Sequence, residues 1–98
     1  MTQWGIIGLG NIAHHFVKDL ALVAEAKLYG VASRSEEKAR DFAVEHGAKA
    51  YFGSYEALLE DPEVKVVYIA TPHTSHHKWS MAAIRAGKHV LCEKPLGM

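Results

Sequence analysis

Short apolar runs alternate along the chain with stretches in which apolar residues recur every three or four positions. The runs cover residues 4–9, 26–32, 64–70 and 89–92 and are rich in Val, Ile, Leu and Tyr. Such runs predict strands buried on both faces of a sheet. Between the first two, Ile12, Phe16 and Leu20 fall four apart with Ala13 and Val17 alongside, while His14, His15, Lys18 and Asp19 take the opposite, polar side. A second helix is predicted from Ser35, whose hydroxyl can cap it, with Glu36 and Glu37 at the positive dipole end. It carries Ala39, Phe42 and Ala43 on its apolar side and stops near Gly47. A short strand over 48–52 follows, then a brief helix capped by Ser54, carrying Tyr55, Leu58 and Leu59 and ended by Asp61-Pro62. The last helix is predicted from about Ser75 to Ala86, closed by Gly87, with Trp79, Ala82, Ala83 and Ala86 as its core stripe.

The order is thus βαβαβαβαβ with connections of a few residues. Strands alternating with single helices pair in parallel through right-handed crossovers, so the fold class predicted is α/β, an open doubly wound sheet. No repeat, low-complexity tract or linker divides the 98 residues, and the length leaves room for one modest core.

The most informative motif is Gly8-Leu9-Gly10-Asn11-Ile12-Ala13. A glycine pair alone is a weak signal, but this one follows the first strand directly and opens an amphipathic helix. Gly8 permits the tight turn, and Gly10 lets backbone approach a pyrophosphate. Ala13 lets the helix pack close to the strand. Asn11 and Ile12 open that helix, whose free N–H groups and dipole would face the phosphates. The plainer alternative is a strand-to-helix turn with no ligand.

At the end of the second strand, Rossmann domains that use NAD place Asp or Glu about twenty residues after the glycines to hold the ribose hydroxyl. Here the stretch is Val31-Ala32-Ser33-Arg34-Ser35, with no carboxylate before Glu36. Ser33 and Ser35 can donate to a 2′-phosphate, Arg34 can pair with it or stack on adenine, and Lys38 adds charge. NADP(H) is therefore favoured over NAD(H); the alternative is a polar helix cap beside NAD. Two further segments leave strands at the carboxyl edge, where ligands of open α/β sheets bind. They are Thr71-Pro72-His73 with His76, and Glu93-Lys94-Pro95. Lys94 could hold a ribose or substrate hydroxyl or stabilise developing alkoxide charge, or be a surface lysine.

Composition removes several classes. Eleven Lys and Arg balance eleven Asp and Glu, and no basic run substitutes for a charged surface, so no nucleic-acid partner is expected. No apolar stretch approaches the roughly 18–20 residues that span a bilayer, and no signal-peptide pattern opens the chain. A lone Cys92 cannot form an internal disulfide and fits a reducing cytoplasm; burial predicts it as inert packing. Seven histidines invite a metal. Yet His73, His76 and His77, or His14 and His15, lack the acidic or cysteine partners that complete a site, so no metal is expected. His15 and His77 are expected to face solvent.

These segments, together with Ala86-Gly87-Lys88-His89-Val90-Leu91-Cys92-Glu93-Lys94-Pro95, resemble the Gfo/Idh/MocA oxidoreductases over nearly the whole chain. The resemblance implies an N-terminal Rossmann NAD(P)-binding domain followed by a C-terminal α/β substrate domain. It also implies hydride transfer at a carbinol or carbonyl carbon of a sugar, cyclitol or diol, with a homo-oligomer built through the second domain. By the same resemblance Lys94 is the catalytic lysine, also close to the cofactor, and Glu93 orients its loop. Thr71, Pro72, His73 and His76 count among the cofactor contacts, with His73 standing where many relatives carry Asn. In the family a second catalytic residue, usually a histidine, comes from the following domain. Residues 1–98 are accordingly expected to be the cofactor-binding part, without the last Rossmann strand and inactive alone. Two other classes share the glycine loop: a non-enzymatic dinucleotide-binding sensor, which does not need Lys94, and an AdoMet methyltransferase, which expects an acidic ribose clamp near Ser33.

Overall fold

The computed structural model describes residues 2–9, 11–23, 25–70 and 73–92, and of residues 11, 12, 73–76 and 92 it describes the backbone. Its elements follow the predicted order: β1 Thr2–Ile7, α1 Asn11–Leu20, β2 Ala26–Ala32, α2 Glu36–His46, β3 Ala50–Phe52, α3 Tyr55–Leu59, β4 Val66–Ile69, α4 His73–Arg85 and β5 His89–Cys92. The five strands form one sheet in the order β3-β2-β1-β4-β5, and every pairing is parallel.

Each face of the sheet has its own core, and strand alternation sorts residues between them. Ile6, Val31 and Tyr68 point to the face covered by α1 and α2, where Ala13, Val17, Phe42 and Ala43 pack. Ile7, Ala32, Val67 and Ile69 point to the other face, against Tyr55, Leu58, Leu59, Trp79 and Ala83 of α3 and α4. Phe16 lies flat on the Tyr68 ring, with centroids 3.8 Å apart and planes at 1°. On the α3 side, β1 and its neighbours come very close. A Cβ added to Gly5 would stand 2.9 Å from Val64 Cγ1 and 3.0 Å from Leu58 Cδ2, so glycine is needed there for space.

Local signals set the helix ends. Ser35 and Ser54 are the N-caps of α2 and α3, their hydroxyl oxygens accepting from the Lys38 and Ala57 amides. Gly47 caps α2 in the left-handed region at φ 75°. Several boundaries differ from expectation. β1 spans Thr2–Ile7 and β4 spans Val66–Ile69, shifted or shortened because strand length follows the neighbours' ladder. α4 opens at His73, two residues before the expected Ser75. Ala86 lies past its end and is exposed, so it leaves the predicted core stripe. Strands are not uniformly buried on both faces. β3 and β5 are sheet edges, where Tyr51 and Leu91 stay exposed.

Candidate functional site

Three strands of this sheet end side by side. The Gly8 amide donates to Ala32 O at 3.1 Å, and the Ala70 amide donates to Ile7 O at 2.8 Å. The exits of β1, β2 and β4 therefore share one edge, and between β1 and β4 the chain's crossovers reverse direction. Open α/β sheets bind ligands at such a switch point. Gly8 itself has φ +89°, which L side chains rarely adopt, so the first glycine of the motif is needed for the turn. Helix α1 starts at Asn11, directly after the turn, and its first N–H groups have no partner within the helix.

Beside this turn lies the end of β2. The Ser33 amide donates to Phe52 O at 3.1 Å. The Ser35 amide donates to Ser33 Oγ at 3.2 Å, and the Lys38 amide donates to Ser35 Oγ at 3.3 Å. Both hydroxyls thus accept from backbone, and each keeps its own hydrogen to donate. The cap reading and the anion reading of these serines are therefore compatible. Arg34 is exposed, with its guanidinium carbon 5.9 Å from the Tyr55 ring centroid, at the outer range of a cation–π contact. Tyr55 in turn meets Trp79 edge-on, with centroids 4.8 Å apart. Glu36, the first carboxylate after β2, lies over Gly53 at the exit of β3: a Cβ there would be 3.1 Å from Glu36 Cβ. Lys38 is exposed and lines a cleft between α1 and α2 with Leu9, His14, Asp41, Phe42 and Glu45.

The remaining candidates are less fully described. His73 and His76 fall in the first turn of α4; of their side chains, and of those of Asn11 and Ile12, nothing is described. Gly10, Thr71, Pro72, Glu93 and Lys94 lie outside the described residues. The strand that precedes Glu93 ends with Cys92 paired to Ile69.

The family model for the Gfo/Idh/MocA oxidoreductases with NAD-binding Rossmann fold matches residues 2–98. This chain belongs to that family. Its Rossmann domain is 41% identical over 98 residues to a 1,5-anhydro-D-fructose reductase of Ensifer adhaerens, covering 100% of this chain and 29% of that protein. It is likewise 41% identical to a trans-1,2-dihydrobenzene-1,2-diol dehydrogenase of Sus scrofa, covering 98% of this chain and 29% of that one. Among solved structures, a 3-ketoreductase of Actinomadura kijaniata in complex with NADP and TDP-benzene superposes with a TM-score of 0.90 at 38% identity. That match covers 97% of this chain and 29% of the reductase. The chain spans under a third of the length of these relatives. The Rossmann domain is NAD-binding by family, and among its described residues no helix is long and apolar enough to cross a membrane.

Two features of this Gfo/Idh/MocA domain escaped the sequence pattern. His14, expected on the solvent side of α1, is half-buried because α2 packs across it. Its ring lies 4.5 Å from Phe42, and its Nδ1 is 2.7 Å from His46 Nε2. Burial pushes the His46 imidazole below its ordinary pKa; Glu45 opposes that shift, while His14 and Lys18 add to it. Lys88 is the buried charge among the described residues, and its ammonium donates to Asp61 O at 2.8 Å and Val64 O at 2.7 Å. Burial lowers its pKa, partly offset by Asp61 and reinforced by Lys65. Within the family-like stretch Lys88 therefore ties α4 and β5 to the turn before β4. No local signal distinguishes it from a surface lysine.

Proposed function

We propose that this chain is the dinucleotide-binding part of an NADP(H)-dependent oxidoreductase acting on a carbinol or carbonyl carbon of a sugar, cyclitol or diol. The observation that carries the cofactor choice is the β2 exit. Exposed Arg34 and two hydroxyls that keep their hydrogens stand next to the Gly8 turn, and the first acidic residue, Glu36, sets its Cα and Cβ against Gly53. A 2′-phosphate carries charge that Arg34 and Lys38 would neutralise, whereas a ribose hydroxyl would find no carboxylate acceptor. The candidate contacts suit a dinucleotide by residue type: Gly8 and Gly10 for the pyrophosphate turn, the opening amides of α1 at Asn11 and Ile12, and Thr71, Pro72, His73 and His76, which follow β4 in the chain. The substrate class rests on the names of the relatives, a fructose-derivative reductase and a diol dehydrogenase.

When bound, nicotinamide would accept or deliver a hydride at the substrate carbon. Lys94 would hold the substrate oxygen, its ammonium meeting the charge that builds there as the C–H bond breaks or forms. Glu93 would orient that lysine. The complete protein would add the substrate domain, supply the second catalytic residue and place the site in the cytoplasm. Fluorescence titration of the chain with NADPH and NADH tests the cofactor assignment: tighter NADPH binding is expected, and equal or tighter NADH binding removes it. NADP-dependent turnover by the complete protein, assayed over sugars, cyclitols and diols, separates the enzyme from a non-enzymatic dinucleotide sensor.

A further inference from the structure

We propose that His14, Glu45 and His46 form a site for a divalent transition metal, zinc being the best match, bridging α1 to the end of α2. The His14 Nδ1 and His46 Nε2 atoms are 2.7 Å apart, and Glu45 Oε2 stands 3.7 Å from the first and 3.5 Å from the second. All three ligand atoms lie within 4.8 Å of one another. On tetrahedral zinc, with bonds of about 2.0–2.1 Å, neighbouring ligand atoms stand about 3.3 Å apart. Two of the three edges are already close to that value. The third opens by about 0.6 Å as one N–H···N bond is exchanged for two metal–nitrogen bonds.

The surroundings favour that exchange. Both rings pack on Phe42, with centroids 4.5 Å away in each case, so their orientations are set before a metal arrives. His46 sits in the last turn of α2, where the Gly47 amide donates to Ala43 O and fixes the helix end. Its side chain is only 10% exposed, whereas Glu45 is 63% exposed, so the carboxylate can swing onto the ion at little cost. A cleft lined by His14, His15, Lys18 and Glu45 opens the site to solvent. It offers a path in and room for water as a fourth ligand. Two imidazoles and one carboxylate select zinc, copper or nickel over magnesium and calcium, which prefer all-oxygen shells. Lys18 works against the cation and limits affinity. The ligands lie 31 and 32 positions apart along the chain (His14 to Glu45 and to His46), which is why residue spacing did not reveal them.

Calorimetric titration of the chelator-treated chain with zinc alone tests the proposal. One equivalent should bind, magnesium and calcium should not, and both Glu45→Gln and His14→Asn should weaken zinc at least tenfold. Lys18→Gln should tighten it several-fold by removing the opposing charge. His46→Asn risks the packing on Phe42, so exposed Glu45→Gln is the deciding variant. The site is overturned by the absence of saturable zinc binding, by binding that Glu45→Gln and His14→Asn leave unchanged, or by binding that instead disappears in His77→Asn on α4.

Discussion

The Gly8 amide donates to the carbonyl of Ala32 across 3.1 Å. That bond extends the β1–β2 ladder one residue beyond Ile7 paired with Ala32, and it sets the glycine turn beside Ser33, Arg34 and Ser35. The turn needs φ +89° at Gly8, and the neighbouring segment carries two hydroxyls and a cation. One sheet edge thus gathers Gly8 and the Ser33-Arg34-Ser35 segment, the two groups on which the proposed dinucleotide site rests.

Arg34→Asp should shift preference from NADP(H) toward NAD(H). A carboxylate at the β2 exit accepts ribose hydroxyls and repels an added phosphate, so both halves of the discrimination reverse. The ratio of the NADPH and NADH dissociation constants is the quantity to measure. A ratio unchanged from the parent chain would place the phosphate contact elsewhere.

The two glycines of the turn should fail in different ways. Gly8→Ala places a Cβ at φ +89° and should cost about 1–3 kcal/mol of stability. Gly10→Val should abolish dinucleotide binding while the fold stays largely intact, because a side chain there would fill the pyrophosphate's space. Thermal denaturation and dinucleotide calorimetry on both variants separate the effects.

Lys88→Met should destabilise the domain by about 1–3 kcal/mol, because it leaves the buried Val64 carbonyl without its ammonium donor. In a domain of this size that corresponds to a fall of roughly 5–20 °C in Tm. NADPH affinity, measured below the transition, should change little. A Tm within a degree of the parent would mean that the ammonium adds nothing to these contacts.

Lys94→Met in the complete protein should lower kcat by roughly a hundredfold or more, with NADP(H) affinity altered only a few-fold. An ammonium that meets charge on the substrate oxygen acts mainly in the transition state. Near-normal kcat in that variant would make the non-enzymatic binding module the better account of the Glu93-Lys94-Pro95 loop.

Most of the architecture was legible residue by residue because its signals are local. Ser35 and Ser54 cap their helices, Gly47 turns left-handed after α2, and apolar runs mark four of the five strands. Alternating strands and helices, joined by right-handed crossovers, leave few topologies besides a doubly wound parallel sheet. The glycine motif and the missing carboxylate after β2 were likewise readable, since both lie within a few residues of a strand end. Periodicity was less informative where burial depends on a neighbour. It placed His14 on a polar face with His15, Lys18 and Asp19, which stay exposed, but α2 half-buries His14 itself. It marked Ala86 as core, but α4 ends before it.

The residues by themselves determined which elements form, in what order, and the chemistry carried on the turns after β1 and β2. Only the tertiary structure decided which side chains from distant elements meet. It set Arg34 over Tyr55 and brought His14 to His46 and Glu45. It also buried the Lys88 ammonium against Asp61 and Val64. The physical reason is range. Caps, turns and periodicity act over three or four residues, whereas these contacts join residues 21 to 32 positions apart. They exist because parallel crossovers set α1 and α2 side by side on one face and return β4 beside β1 and β5 beside β4.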